Sequence, residues 1–374
     1  MEGHAKNMSK AIIFCHSPHV AGTIGEISRD VASALKGIGM EVFFIASCEP
    51  VSYFEKVDGM GYPIVVDGEE TYCSCGAENI IVSIYEHVLS FNPDIFISIG
   101  ERPEVELASA AIQVSGKSIR HIHLWTGSSE PCKGACEAMS RVSDLLCFGK
   151  HAKHNIENYV KNVCSIEIKN SLVAASSAKN NNLVLCGGPS SDISNLLCVI
   201  EAFSGIEMEI KIITNLYENG DYDVRGFAED RNVTIDFGND PYGTFYGLDN
   251  NSICKNASDR FYFVDMSIKQ GSCYALDCAI RSGCLPILSR TPRHVEFLLS
   301  RDLDIDMVNA ITIPTSKFRP SGGDCIWFAD PINLNKIIQS LKEYEIGNGI
   351  TRRLMEAAER MPTLKEEISK ILQK

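Results

Sequence analysis

Apolar runs of strand length alternate along this chain with longer segments whose apolar residues recur at helical spacing. That alternation is the pattern of parallel βα units, because strands buried on both faces read as continuous apolar runs and the crossover helices as one-sided stripes. The strand-like runs of the first half are 11–15, 41–46, 63–66, 94–99, 120–124 and 144–148, with helical segments near 26–38, 78–91 and 103–115. In the first helical segment Ile27, Val31, Ala34, Leu35 and Ile38 share one face, and Gly37 and Gly39 close it. A polar stretch at 169–182, rich in Ser, Ala, Asn and Lys, reads as a join. A second series follows it: strands at 183–186, 209–213, 233–237, 261–264 and 285–288, helices at 192–204, near 250–257 and at 272–282, and a mostly helical tail from about 331. The expected fold is α/β, with two Rossmann-like domains facing a cleft. Residues 8–170 form the first, 183–345 the second, and helices in 346–374 return toward the first.

The bulk numbers narrow the partners. The chain has 374 residues, enough for two domains, and a net charge of −13. An acidic surface repels phosphate backbones, so nucleic acid is not an expected partner. No run approaches the roughly 20 apolar residues that span a bilayer. The opening MEGHAKNMSK lacks the apolar core of a signal peptide, so a cytoplasmic protein is expected. Many of the fifteen cysteines, such as Cys15, Cys147, Cys186 and Cys284, sit inside apolar runs and read as buried thiols. Cys73-Ser-Cys75 and Cys132-x3-Cys136 have no second pair at zinc spacing. The Asp-x-Asp matches at 221–223 and 304–306 are ordinary in an acidic chain. No metal is expected.

In open parallel sheets, ligands sit at the carboxyl ends of strands. HSPHVAGTIGE (16–26) follows the first strand; Gly22 and Thr23 lie where a helix begins, so a phosphate contact and a plain turn are both open there. RHIHLWTG (120–127) places His121 and His123 on one strand face, either as an acid, base or sugar partner in the cleft or as core histidines. CGGPSSDISN begins after the opening strand of the second half and contributes Gly187 and Gly188. QGSCYALDCAIRSGCLPILSR (270–290) joins a ligand loop to a helix and a strand, and the amides of Gly271, Ser272 and Cys273 are free to meet an anion.

At these residues the chain resembles the GT-B glycosyltransferases of the retaining group that includes glycogen and sucrose synthases. That group follows its strand with a serine, a spacer and Glu-Gly-Phe-Gly, then Leu-Glu-Ala-Met-Ala-x-Gly-x-Pro-Val-Ile. Ser267, Gln270-Gly271, Ala279-Ile280, Gly283, Pro286 and Ile287 fall in step, and Glu296 matches a further glutamate early in the next helix. Residues 144–158 resemble the end of the family's first domain, and 183–188 with 193–203 the opening of its second. The first motif glutamate, a sugar contact, is replaced by Gln270. The second, a ribose contact, falls on Cys278 with Asp277 beside it. The family's diphosphate-binding arginine and lysine are missing after the strand at 183–186, leaving Lys269 or Arg290 as other cations. The resemblance implies a nucleotide-diphosphate sugar as donor and co-substrate, a hydroxyl on a glycan, lipid or small molecule as acceptor, retention of configuration, and neither metal nor cofactor. His123 and Gln270 would be catalytic; Gly22, Thr23, Gly187, Gly188, Gly271, Ser272, Cys273, Asp277 and Cys278 would hold the donor. Loss of the motif charges supports an alternative: a degenerate GT-B protein that binds a glycan or partner. A sugar-nucleotide epimerase of the same fold is a third reading.

Overall fold

The computed structural model describes residues 9–15, 23–47, 62–66, 69–73, 77–128, 130–169, 180–187, 196–205, 209–213, 224–236, 257, 260–266, 273–318, 326–329, 334, 336–337 and 346–372. They form two separate parallel-sheet lobes. Strands β1 (Lys10–Cys15), β2 (Glu41–Ala46), β3 (Tyr62–Val66), β4 (Glu69–Cys73), β5 (Ile95–Gly100), β6 (Arg120–Trp125), β7 (Asp144–Phe148) and β8 (Val163–Ile166) make an eight-stranded sheet in the order β3-β4-β2-β1-β5-β6-β7-β8. All neighbours in it are parallel except the β3–β4 hairpin at the edge. Strands β9 (Asn180–Gly187), β10 (Glu209–Ile213), β11 (Ile235–Asp236), β12 (Arg260–Asp265), β13 (Leu285–Ser289) and β14 (Thr312–Ile313) make a second, all-parallel sheet in the order β11-β10-β9-β12-β13-β14. This is the 3-2-1-4-5-6 order of the doubly wound dinucleotide-type fold.

Helices cover both faces of the first sheet. On one side α1 (Thr23–Gly37) seats Ile27, Val31, Ala34 and Leu35 against Ala11 and Ile13 of β1. On the other, α2 (Ala77–Phe91) and α3 (Arg102–Ser115) close over Ile12, Phe14 and Phe96. Alternate residues of β1 thus feed two cores, as the two-residue period of a strand requires. Then come α4 (Lys133–Met139), α5 (Lys150–Ile156), α6 (Leu196–Phe203), α7 (Val224–Glu229), α8 (Tyr274–Arg281), α9 (Pro292–Leu299) and α10 (Ile305–Ile311). The tail holds α11 (Ile346–Arg360) and α12 (Leu364–Leu372), and a small antiparallel pair, β15 (Thr315–Phe318) and β16 (Ile326–Ala329), precedes it.

The tail divides its packing. Ile350 and Leu354 of α11 join the second lobe's core, whereas Leu364 and Ile368 of α12 join the first lobe's core beside α1. So α12 makes the return to the first lobe. The chain crosses between lobes at two adjacent places: Lys169 pairs in parallel with Thr363, and the Lys169 amide donates to the Pro362 carbonyl at 2.8 Å. The expected join at 169–182 lies largely outside the described residues.

Two of the stretches weighed as metal ligands take local structural roles. Cys132-x3-Cys136 lies at the start of α4, where Cys136 is buried among apolar side chains. Asp304 of the second Asp-x-Asp match caps α10, its carboxylate accepting from the Met307 amide at 2.9 Å; Asp221 and Asp223 lie outside the described residues. Among the described residues no group of three or more His, Cys, Asp or Glu is placed to hold a metal ion, and no helix is long and apolar enough to cross a membrane.

Candidate functional site

Strand order sets where a ligand crevice opens. In the first sheet the order in which successive strands are added switches sides between β1 and β5, in the second between β9 and β12, all of them parallel. Loops leaving the carboxyl ends of strands at such points diverge and leave a crevice. The predicted donor loops leave three of these four strands: Gly22 follows β1, Gly188 follows β9, and Gln270, Gly271 and Ser272 follow β12. Those five residues lie outside the described residues, as does the Thr23 side chain; Thr23 opens α1 and Gly187 ends β9.

Cys273 is where the description of the third loop resumes. It caps α8 in a left-handed conformation, φ 56° and ψ 26°, uncommon for a side chain other than Gly, Asn or Asp. Its carbonyl accepts from the Asp277 amide at 3.0 Å, which starts the helix. Burial pushes its thiol up to about 12, so it stays protonated near neutral pH.

Asp277 and Cys278 face the interior. The Asp277 carboxylate accepts from Arg301 Nη2 at 2.8 Å, and both side chains are essentially sealed from solvent. Arg301 also donates to the Ile168 carbonyl at 3.0 Å and stacks on Phe297 at 3.4 Å from the ring centre. In this geometry the expected ribose contact at Asp277 is replaced by a structural ion pair. Cys278, on the same helix, packs at 1 % exposure and offers no surface to a ribose.

The histidines also belong to the core. Strand β6 runs on through Trp125, so His123 sits inside the sheet rather than at its end, and it is 0 % exposed. Ser98 Oγ on neighbouring β5 lies 2.8 Å from His121 Nε2 and 2.8 Å from His123 Nδ1. A hydroxyl has one proton, so Ser98 donates to one ring and accepts from the other. Burial holds both imidazoles neutral by lowering their pKa values to about 3. A sealed neutral ring does not serve as a cleft acid or base, which corrects the catalytic reading of His123.

What sequence reasoning missed is a set of polar contacts between the lobes. Arg293 on α9, itself 1 % exposed, forms a two-pronged pair with Glu167, its Nη2 at 3.0 Å from Oε2. Glu296, one turn along α9, accepts from the backbone amides of Lys150 and His151, the latter at 3.2 Å, and so caps α5 from the opposite lobe. Gly149 makes this approach possible. Its φ is +88°, and a Cβ there would collide with Glu296 Oε2 and stand 2.8 Å from Arg293 Nη1. Lys317 of β15 meets Glu130 of the first lobe at 2.5 Å, and His151 lies 3.1 Å from the same carboxylate. The only sequence signal was Glu296 at a family position; its partners lie 145 and 146 residues away.

By sequence, no protein-family model and no curated protein matches the chain. By structure it is similar, over nearly its whole length, to several solved proteins. Sucrose-phosphate synthase from Thermosynechococcus elongatus superposes with a TM-score of 0.72 at 11 % identity, covering 98 % of this chain and 97 % of that one. A UDP-forming α,α-trehalose-phosphate synthase from Burkholderia xenovorans, solved in complex with glucose-6-phosphate, gives 0.67 at 9 % identity, covering 97 % and 100 %. A protein described as a UDP-N-acetylglucosamine 2-epimerase, from Listeria monocytogenes, gives 0.57 at 13 % identity, covering 94 % of each chain. The class these define with the sheet topology is the GT-B fold: two Rossmann-like lobes facing a cleft, with a C-terminal helix returning to the first.

Proposed function

We propose that the chain is a glycosyltransferase that moves a sugar from a nucleotide-diphosphate donor to a hydroxyl acceptor, with retention of configuration and without a metal or cofactor. The observation that carries this reading is the match of both lobes, end to end, to synthases of phosphorylated disaccharides. A binding module that kept one lobe would not need the second lobe in register with the first. In this reading the backbone amides of Gly271, Ser272 and Cys273 meet the diphosphate, with Gly22, Thr23, Gly187 and Gly188 lining the approach. Gln270 reaches the transferred sugar as a neutral hydrogen-bond partner. The left-handed turn at Cys273 supports a tight backbone there, since such conformations persist only where their surroundings over-determine them. The protein would work in the cytoplasm.

One observation favours a second reading, a degenerate GT-B module that binds a glycan or partner without turnover. Asp277 and Cys278, the residues at the family's ribose-binding glutamate, are both taken into the interior. Thermal shift with UDP, GDP and ADP sugars separates the two. A ligand at 100 times its dissociation constant adds about 2.7 kcal/mol, so a transferase responds to at least one nucleotide. Gln270→Ala then lowers transfer, and Gln270→Glu raises it if the missing charge limits turnover. No response to any nucleotide leaves the binding module standing. Turnover of the sugar nucleotide alone, giving an epimer, overturns transfer in favour of epimerisation.

A further inference from the structure

Between the lobes lies a cavity of about 880 Å³. That is within the roughly 300–1,000 Å³ of small-molecule sites. Both lobes line it: Lys150, His151 and His154 from α5 on one side, Arg290, Val295 and Leu299 from around α9 on the other. Its two carboxylates are already engaged. Glu167 is held by both prongs of Arg293, and Glu296 accepts from the amides of Lys150 and His151. Each histidine stands beside a carboxylate, His151 at 3.1 Å from Glu130, which Lys317 also meets, and His154 at 3.1 Å from Glu157. Lys150 and Arg290 remain. Neither side chain makes an ion pair or hydrogen bond among the described residues, although the chain carries a net charge of −13.

Two unneutralised cations on opposite walls suit a dianion better than a single carboxylate, which matches only one of them. The wall beside them is apolar: Leu299 is 44 % exposed, and Val295 and Pro292 adjoin it. We propose that this cavity binds a phosphomonoester, its phosphate between Lys150 and Arg290 and its organic body against Val295 and Leu299. A ligand so placed touches both lobes and ties them together. Lys150 follows β7 and Arg290 follows β13, not the strands β1, β9 and β12 that the donor loops follow, but β13 lies beside β12; competition with UDP therefore decides whether the two sites are separate. It stands whether or not the chain transfers sugar.

The test is thermal shift and calorimetry on the full chain with glucose 6-phosphate, glycerol 3-phosphate, glucose and inorganic phosphate. Both esters should raise Tm, glucose should not, and inorganic phosphate should bind at least tenfold more weakly than the better ester. Lys150→Ala and Arg290→Ala should each weaken ester binding tenfold or more, and Lys150→Arg should restore most of it. Comparing unliganded Tm values first separates lost binding from lost folding. Saturating UDP should leave the ester affinity unchanged. The proposal is overturned if neither ester shifts Tm, if the double alanine variant binds as the parent does, or if inorganic phosphate binds as tightly as the esters. Displacement of the ester by UDP overturns it too, since Arg290 would then belong to the donor site. Failure of the transferase reading looks different: no nucleotide binds, while ester binding persists.

Discussion

His121 and His123 in the first lobe, and Asp277 and Arg301 in the second, are four polar residues at no more than 3 % exposure. The first pair is kept neutral and shares one serine hydroxyl; the second is an ion pair with an aromatic face and a backbone carbonyl as further partners. The two arrangements respond to different disturbances. A neutral network fails when protons are added. A buried ion pair fails when one member is removed, because the survivor is left charged without water.

Removing one member of the ion pair therefore gives the largest expected effect. Arg301→Met should lower the stability of the full chain by about 3–5 kcal/mol in urea denaturation. The double variant Arg301→Met, Asp277→Leu should recover most of that, since apolar replacement of a whole buried pair is often neutral. A loss below about 1 kcal/mol for the single change would break the contrast, because it would mean that water reaches Asp277.

Acid should single out the other pair. Both imidazoles have folded pKa values near 3, against 6.5 as the ordinary value. Between those limits the unfolded chain binds more protons than the folded one, so stability rises with pH. The contribution is fully present above pH 6.5 and is lost as pH falls toward 3. The slope is about 1.4 kcal/mol per pH unit for each histidine. Comparing urea midpoints between pH 4 and 6, His123→Leu should remove about half of this slope. An unchanged slope would show that other groups set the acid limit.

The lobe junction is the third case, charged like the second but reaching the surface. Gly149→Ala forces a Cβ into Glu296 at a left-handed backbone position. Such strain costs about 1–3 kcal/mol. It should appear as a lower Tm together with faster proteolysis between the lobes. Ala tolerated without change would mean that Glu296 moves aside freely and does not hold α5.

These contrasts also mark where the sequence is legible. Strands β1, β2, β7 and β13 carry unbroken apolar runs, and β5 one interrupted only by Ser98, so they are read directly. β4 (EETYC) and β8 (VCSI) are near-edge and edge strands, the first polar enough to pass for a loop and the second only four residues long, and the β15–β16 pair is similarly short. Placing His123 at a strand end failed by the distance to Trp125, since strand boundaries blur where apolar residues continue into a loop. The lobe contacts were out of reach for a different reason. Arg293 and Glu167 are 126 residues apart, and no local pattern records which distant carboxylate a buried arginine will meet. Asp277 was read by its neighbour's family position, but Arg301 lies 24 residues on and takes the carboxylate inward.

The smallest expected effect concerns Tyr274, which belongs to α8 of the second lobe but is buried in the first lobe's core. Its hydroxyl donates to Asp30 on α1 at 3.1 Å. Burial and the adjacent Asp30 hold the phenol well above its ordinary pKa, so it remains a neutral donor across the accessible pH range. Tyr274→Phe keeps the ring and its packing and removes one hydrogen bond to a charged but half-exposed acceptor. A loss of roughly 1 kcal/mol is expected, smaller than at Arg301 because Asp30 regains water where Asp277 does not. Tyr274→Ala removes the ring as well and should cost about 3–5 kcal/mol through the cavity left in the core. If the two variants cost the same, the hydroxyl rather than the ring anchors α8 to the first lobe. The junction would then resemble the buried ion pair more than the neutral histidine network.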